Sequence, residues 1–203
     1  VELVLRPQPG YPFALSLRGE YTLSDRGLRV CTTATNVGAD ACPYGAGAHP
    51  YLTVGTETVD SAVLQVPAST VLRSDERGLP TGSDPVEGTE FDFREGRPVG
   101  STELDHCLTD LERGEDGLAR VTLSDPVAGT GLTLWMDDTY SHVMLFTGDP
   151  LPDVDRRSLA VEPMTCPPNA FRTGDHLIRL EPGESFAGEW GLTPSCSPIT
   201  LFG

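Results

Sequence analysis

The sequence predicts an all-β chain, a sandwich or barrel of many short strands with few and short helices. Three observations carry this. Segments of five to nine residues rich in Val, Leu, Thr and aromatics recur from end to end. Turn clusters divide them at near-regular spacing. No window sustains a 3.6-residue apolar period with caps at its ends.

In chain order, VELVLRP opens inside a strand and without Met, so the native N-terminus is expected upstream. Residues 13–22 read as a strand, Ser24-Asp25-Arg26-Gly27 as a tight turn, and residues 28–36 as the partner strand. In that partner Leu28, Val30, Thr32 and Ala34 alternate with Arg29, Cys31 and Thr33, and Cys31 reads as an ordinary core residue. Further strands are expected at 62–66, 71–73, 106–111, 118–123, 131–136, 142–147, 159–162 and 186–192. Asp116-Gly117 and Gly129-Thr130-Gly131 are read as hairpin turns among them. Residues 73–100 form the longest polar stretch and read as a long loop over a single domain spanning 1–203, despite Phe91 and Phe93. Trp135 and Trp190 fall in strand patterns and are expected in the core.

Composition narrows the function. The 203 residues suffice for one sizeable core. A net charge of −16 argues against nucleic acid or an anionic membrane surface as partner. It also disfavours a strongly anionic substrate, unless arginines cluster locally. Five cysteines (31, 42, 107, 166 and 196) make an odd count with no CxxC pair, so neither a disulfide framework nor a structural zinc site is expected. A reducing cytoplasm fits that pattern. No run reaches the length of a membrane span and no signal peptide is visible.

Two stretches carry the chemistry. In SLAVEPMTCPPNAF an apolar run leads into Glu162, and Pro163, Pro167 and Pro168 stop the strand and stiffen the loop after it. An ionised carboxylate near a core costs free energy unless paired, so its position suggests a base rather than a folding role. A solvated strand-end Glu is the alternative. In GAGAHPYLTVG, Pro50 biases His49 towards extended backbone, which projects an imidazole able to give or take a proton near neutrality. A satisfied structural histidine would look the same. His49 and Glu162 are expected to face one pocket, with Tyr51 as a substrate-binding side chain. Asp105, beside His106, can accept hydrogen bonds from hydroxyls, or can simply close a turn. His142 reads as structural and His176 as solvated. A metal site from His49, His106 and a carboxylate is conceivable, but no spacing asks for it. No Walker loop, GxSxG, HExxH or dinucleotide fingerprint occurs.

Taken together, GYPFALSL, GAGAHPYL, LDHCLTDL, FTGD, AVEPMTCPPNAF and LEPGESF resemble the aldose 1-epimerase (galactose mutarotase) family, in its bacterial branch. The resemblance runs from about residue 9 to residue 193. It implies a β-supersandwich with sugar bound in a cleft on one sheet. By position, His49 matches the family's general acid, Glu162 its general base and Asp105 the carboxylate that holds sugar hydroxyls. It implies interconversion of the anomers of a neutral aldohexose such as glucose or galactose, with no cofactor. Family members also carry upstream strands that contribute an Arg and another His to the sugar site, and this sequence begins after them. Two rivals stand beside this reading. A mutarotase for phosphorylated hexoses would need an arginine cluster, for which only Arg172 lies near in sequence. A non-catalytic sugar-binding module would keep Asp105 yet tolerate loss of Glu162 or His49.

Overall fold

A computed structural model describes residues 1–152 and 155–196. The chain runs through β1 (Glu2–Leu5), β2 (Leu15–Ser24), β3 (Gly27–Asn36), β4 (Cys42–Tyr44) and β5 (Tyr51–Leu52). After a single 3₁₀ turn at Val59–Ser61 come β6 (Val63–Gln65), β7 (Ala68–Ser74), β8 (Pro80–Pro85), β9 (Arg97–Pro98) and β10 (Asp105–Leu111). Next in the chain are β11 (Ala119–Asp125), β12 (Thr130–Met136), β13 (His142–Phe146) and β14 (Leu159–Met164). The four-residue helix α1 (Ala170–Thr173) precedes β15 (Ile178–Leu180) and β16 (Ser185–Cys196). No helix among the described residues is long and apolar enough to cross a membrane.

Eight strands form one antiparallel sheet in the order β1-β2-β3-β16-β12-β11-β6-β9, and six form a second in the order β5-β14-β13-β10-β7-β8. A third pair joins β15 to β4. Strand side chains alternate between faces, so each large sheet lays one apolar row on the other. From the eight-stranded sheet come Val121, Leu123, Leu134 and Met136, and from the six-stranded sheet Val143, Leu145, Leu159 and Val161. All eight are fully buried in one cluster. Leu15, Ala34, Cys42, Tyr44, Leu180 and Phe186 form a smaller cluster beneath the two-stranded sheet.

The opposite face of the six-stranded sheet therefore carries the other parity. Its rungs read Asp105–Phe146–Ala160–Tyr51, then Cys107–Met144–Glu162, then Thr109–His142–Met164. Polar residues that would be unfavourable in the core gather on this face.

The architecture agrees with the all-β reading, and several local expectations need correction. Ser24 pairs with Gly27 across the expected two-residue turn, where Gly27 has φ +112° and a Cβ would overlap the Leu192 carbonyl. Cys31 lies on the outer face of the large sheet, opposite Glu20 and Glu189, because Val30 and Ala34 take the inward parity. Trp190 is buried as expected, whereas Trp135 faces outward, since Leu134 and Met136 beside it point in. The Asp116-Gly117 turn joins β10 of one sheet to β11 of the other, so it is a crossover and not a hairpin. The 73–100 stretch contains β8 and β9 and buries Val86, Phe93 and Val99, because its few apolar residues anchor it to the core between polar turns.

Candidate active site

Glu162 lies inside β14 and not at its end, since the strand continues through Pro163 to Met164. Proline is tolerated here because β14 meets irregular chain on its other side. Val161 N–H donates to the Pro50 carbonyl (3.1 Å), Ala48 N–H to the Pro163 carbonyl (3.2 Å) and Thr165 N–H to the Ala46 carbonyl (2.9 Å). Within a strand the N and O of one residue point the same way, so Pro163 turns its donorless nitrogen towards residues 46–50 and leaves the β13 ladder intact. Pro167 and Pro168 fall beyond the strand, in the loop before α1.

The same contacts deliver His49. Ala46 N–H also donates to Thr165 Oγ1 (2.9 Å), so residues 46–50 are zipped along β14. Glycines permit that closeness. A Cβ on Gly45 would lie 2.7 Å from Cys166 Sγ, and one on Gly47 would lie 3.4 Å from the Pro163 carbonyl. His49 Nε2 then rests 3.0 Å from Glu162 Oε1, with the Glu162 side chain 15% exposed and the His49 side chain 53% exposed. Tyr51 lies against His49, with ring centroids 4.9 Å apart.

Asp105 is exposed at the start of β10, on the face that carries Glu162 and one rung along. The structure thus brings His49, Tyr51, Glu162 and Asp105 to one face. His106 takes the opposite parity. It stacks on Phe91 with centroids 4.3 Å apart, and burial lowers its pKa, so it stands apart from Glu162. Arg172 is exposed on α1.

Burial raises the Glu162 carboxyl above its ordinary range, neighbouring His49 opposes that shift, and the Asp105 carboxylate adds to it. A base so tuned is more basic than a free carboxylate while staying able to ionise beside an imidazole. Cys107 and Met144 cross the sheet between Glu162 and β7. Burial, with Glu162 and Cys166 nearby, pushes the Cys107 thiol up to about 12, so it is neutral floor and not a nucleophile. Cys31, Cys42, Cys107 and Cys166 are free thiols. Among the described residues, no three His, Cys, Asp or Glu side chains gather in a metal-binding group.

The sequence reading missed Met144, Cys107 and Phe146 as the surface under this face. Their parity was legible within each strand, but their place beside Glu162 depends on which strands pair. His142 and His176, read apart, meet edge to face with ring centroids 5.0 Å apart. His142 is buried, as a structural residue would be, and His176 is exposed.

The chain is thus an antiparallel double sheet with a carboxylate and an imidazole in contact on one open face. The family model described as aldose 1-epimerase matches residues 1–193, and the chain belongs to that family. The uncharacterized protein YihR of Escherichia coli (strain K12) is 36% identical over 181 residues, covering 89% of this chain and 56% of the relative. YphB of the same organism is 27% identical over 169 residues, covering 81% of this chain and 55% of the relative. The chain thus spans about half the length of the curated relatives it matches. Among solved structures, a galactose mutarotase-like protein from Clostridium acetobutylicum superposes with TM-score 0.82 at 18% identity, over 97% of this chain and 62% of that one. A galactose 1-epimerase from Lactobacillus acidophilus NCFM superposes with TM-score 0.78 at 23% identity, over 96% and 61%. The fold is galactose mutarotase-like.

Proposed function

We propose that the chain interconverts the α and β anomers of a neutral aldohexose such as glucose or galactose, with Glu162 as general base and His49 as general acid. The contact of His49 Nε2 with Glu162 Oε1 at 3.0 Å carries this reading. The anomeric hydroxyl and the ring oxygen of an aldose are bonded to the same carbon. A base and an acid within hydrogen-bond reach of one another can therefore serve both oxygens at once. Glu162 takes the proton of the anomeric hydroxyl while His49 protonates the ring oxygen, and the C1–O5 bond breaks to leave an open aldehyde. Rotation about C1–C2 presents the other carbonyl face. Attack by the C5 hydroxyl, with its proton returned to His49 and the Glu162 proton passed to the new O1, closes the other anomer. Asp105 accepts hydroxyl hydrogen bonds with charge assistance, and Tyr51 offers an aromatic face at the rim. The chemistry is proton transfer alone and calls on no cofactor. A cytoplasmic location is proposed with it, as a reducing compartment keeps thiols free.

Polarimetry or NMR on α-glucose and α-galactose at neutral pH, with the spontaneous rate subtracted, tests the assignment. The chain should accelerate mutarotation, and Glu162→Gln should lower kcat by about 10²- to 10⁴-fold. A Glu162→Gln chain as active as the wild type would remove the mechanism.

A further inference from the structure

The Asp105 carboxylate, proposed to hold sugar hydroxyls, has no hydrogen bond or ion pair of its own among the described residues. It opens on a cavity of about 500 Å³ that Phe146 and Asp149 also line. Where the carboxylate points is therefore set by the backbone at the start of β10. That backbone has little support on one side. β7 pairs with β10 only from Leu108 onwards, and the Asp105 N–H donates locally to His106 Nδ1 (3.1 Å). On the other side Asp105 pairs with Phe146, so Leu104 and Thr147 should exchange the next two ladder bonds.

Only one of those two bonds joins backbone groups. Thr147 N–H donates to the Leu104 carbonyl (2.9 Å), but Leu104 N–H donates to Thr147 Oγ1 (2.9 Å). The Thr147 carbonyl instead accepts the Arg156 N–H (3.2 Å). A hydroxyl carries a single proton, and that of fully buried Thr147 goes to Asp149 Oδ2, which leaves a lone pair for Leu104. The Leu104 carbonyl, 3.2 Å from the same oxygen, is the poorer acceptor beside a carboxylate. Arg156 Nη1 donates to Asp149 Oδ1 (2.7 Å), so both carboxylate oxygens are engaged. Burial opposes ionisation of Asp149, but the hydrogen bonds from Thr147 and Arg156 outweigh it and keep its pKa below the ordinary range. Other Arg156 donors reach Asp60 and the carbonyls of Gly100 and Thr102, the last two in the chain that leads into β10. Arg156 holds these contacts at a left-handed φ of 55°, a conformation that costs free energy in a non-glycine residue.

We infer that Thr147, Asp149 and Arg156 are positioning residues that aim Asp105 at the sugar, acting through the Leu104 N–H. The inference rests on the proposed contact of Asp105 with sugar hydroxyls. Those hydroxyls do not react, so a displaced Asp105 weakens ground state and transition state alike and raises KM with little change in kcat. Mutarotation kinetics on glucose and galactose test it. Thr147→Val keeps the shape and removes the hydroxyl, and should raise KM about tenfold with kcat held within about twofold. Thr147→Ser keeps the hydroxyl and loses the methyl, and should return KM to within about twofold of the wild type. On an Asp105→Ala background, Thr147→Val should leave kcat/KM within about twofold, since no carboxylate remains to be misplaced. Should Thr147→Val fail to fold, Asp149→Asn enters the same two backgrounds, with a KM rise of about threefold expected where Asp105 is present. A wild-type KM in Thr147→Val, a serine variant no better than the valine one, or an equal loss of kcat/KM with and without Asp105 would overturn the positioning role and leave the epimerase standing. If the wild type turns over neither sugar, the epimerase reading fails separately, and calorimetric titration with both sugars decides. Binding that weakens in Thr147→Val and recovers in Thr147→Ser supports the positioning role, and equal or absent binding refutes it.

Discussion

Glu162 and His142 occupy neighbouring rungs of one sheet face, and burial acts on them with opposite chemical results. A buried carboxyl holds its proton more firmly, which makes Glu162 a better base. A buried imidazole holds its proton less firmly, which keeps His142 neutral. Asp110 and Asp175 raise the His142 value and His176 lowers it, with burial dominant. The folded His142 pKa, about 4, lies below its ordinary 6.5, so the unfolded chain binds the extra proton between those values. Stability should therefore fall as pH drops from about 6.5 to about 4, and His142→Gln should flatten that part of the profile. Urea titrations across the interval check this, and equal slopes in both proteins would refute it. At this scale the pair His49 and Glu162 was legible, because GAGAHPY and AVEPMTCPPNAF each set a proton-transfer side chain directly before a proline. Met144, Cys107 and Phe146 were not, because nothing in an apolar strand residue declares which strand lies beside it.

At the scale of the element, parity decides where side chains go, and neighbours decide which parity wins. Trp135 and Cys31 follow strand alternation as expected, yet face outward because Leu134, Met136, Val30 and Ala34 claim the core. The outward Trp135 ring lies over Gly191 on the adjacent strand, where a Cβ would overlap both the indole and the Leu28 carbonyl. Gly191→Ala should cost about 1–3 kcal/mol by overpacking, read as a lower urea midpoint at unchanged slope. An unchanged midpoint would mean that β12, β16 and β3 give way without cost. Pro163 teaches the complementary lesson. It was read as a strand terminator, but a proline stops a ladder only where its missing N–H was required, and here that nitrogen faces residues 46–50. Arg156 is a further case that local sequence hides. From the connection after β13 it pairs with Asp60 (2.6 Å) and Asp149 (2.7 Å), and donates to the Gly100 and Thr102 carbonyls, clamping three loops.

Over the whole molecule, 30 acidic residues face 14 basic ones, and their mutual repulsion opposes the compact state. Screening should relieve it, so the thermal midpoint should rise between low salt and about 0.5 M NaCl, where the Debye length is only a few ångströms. A midpoint that falls would show that ion pairs such as Arg156 with Asp60 and Asp149 outweigh the repulsion. The sequence by itself determined the all-β class, most strands, the reversal at Asp25-Arg26 and the candidates His49 and Glu162, because alternation, turn chemistry and short motifs are local properties of a chain. Only the tertiary structure decided which face of each strand is buried, which strands pair, and hence that His49 from one loop meets Glu162 from a strand 113 positions later in the numbering. It also decided that His142 and His176, read as unrelated, meet edge to face. Strand pairing joins residues distant in sequence through backbone hydrogen bonds common to every amino acid, so the side chains it brings together leave no local signal of their meeting.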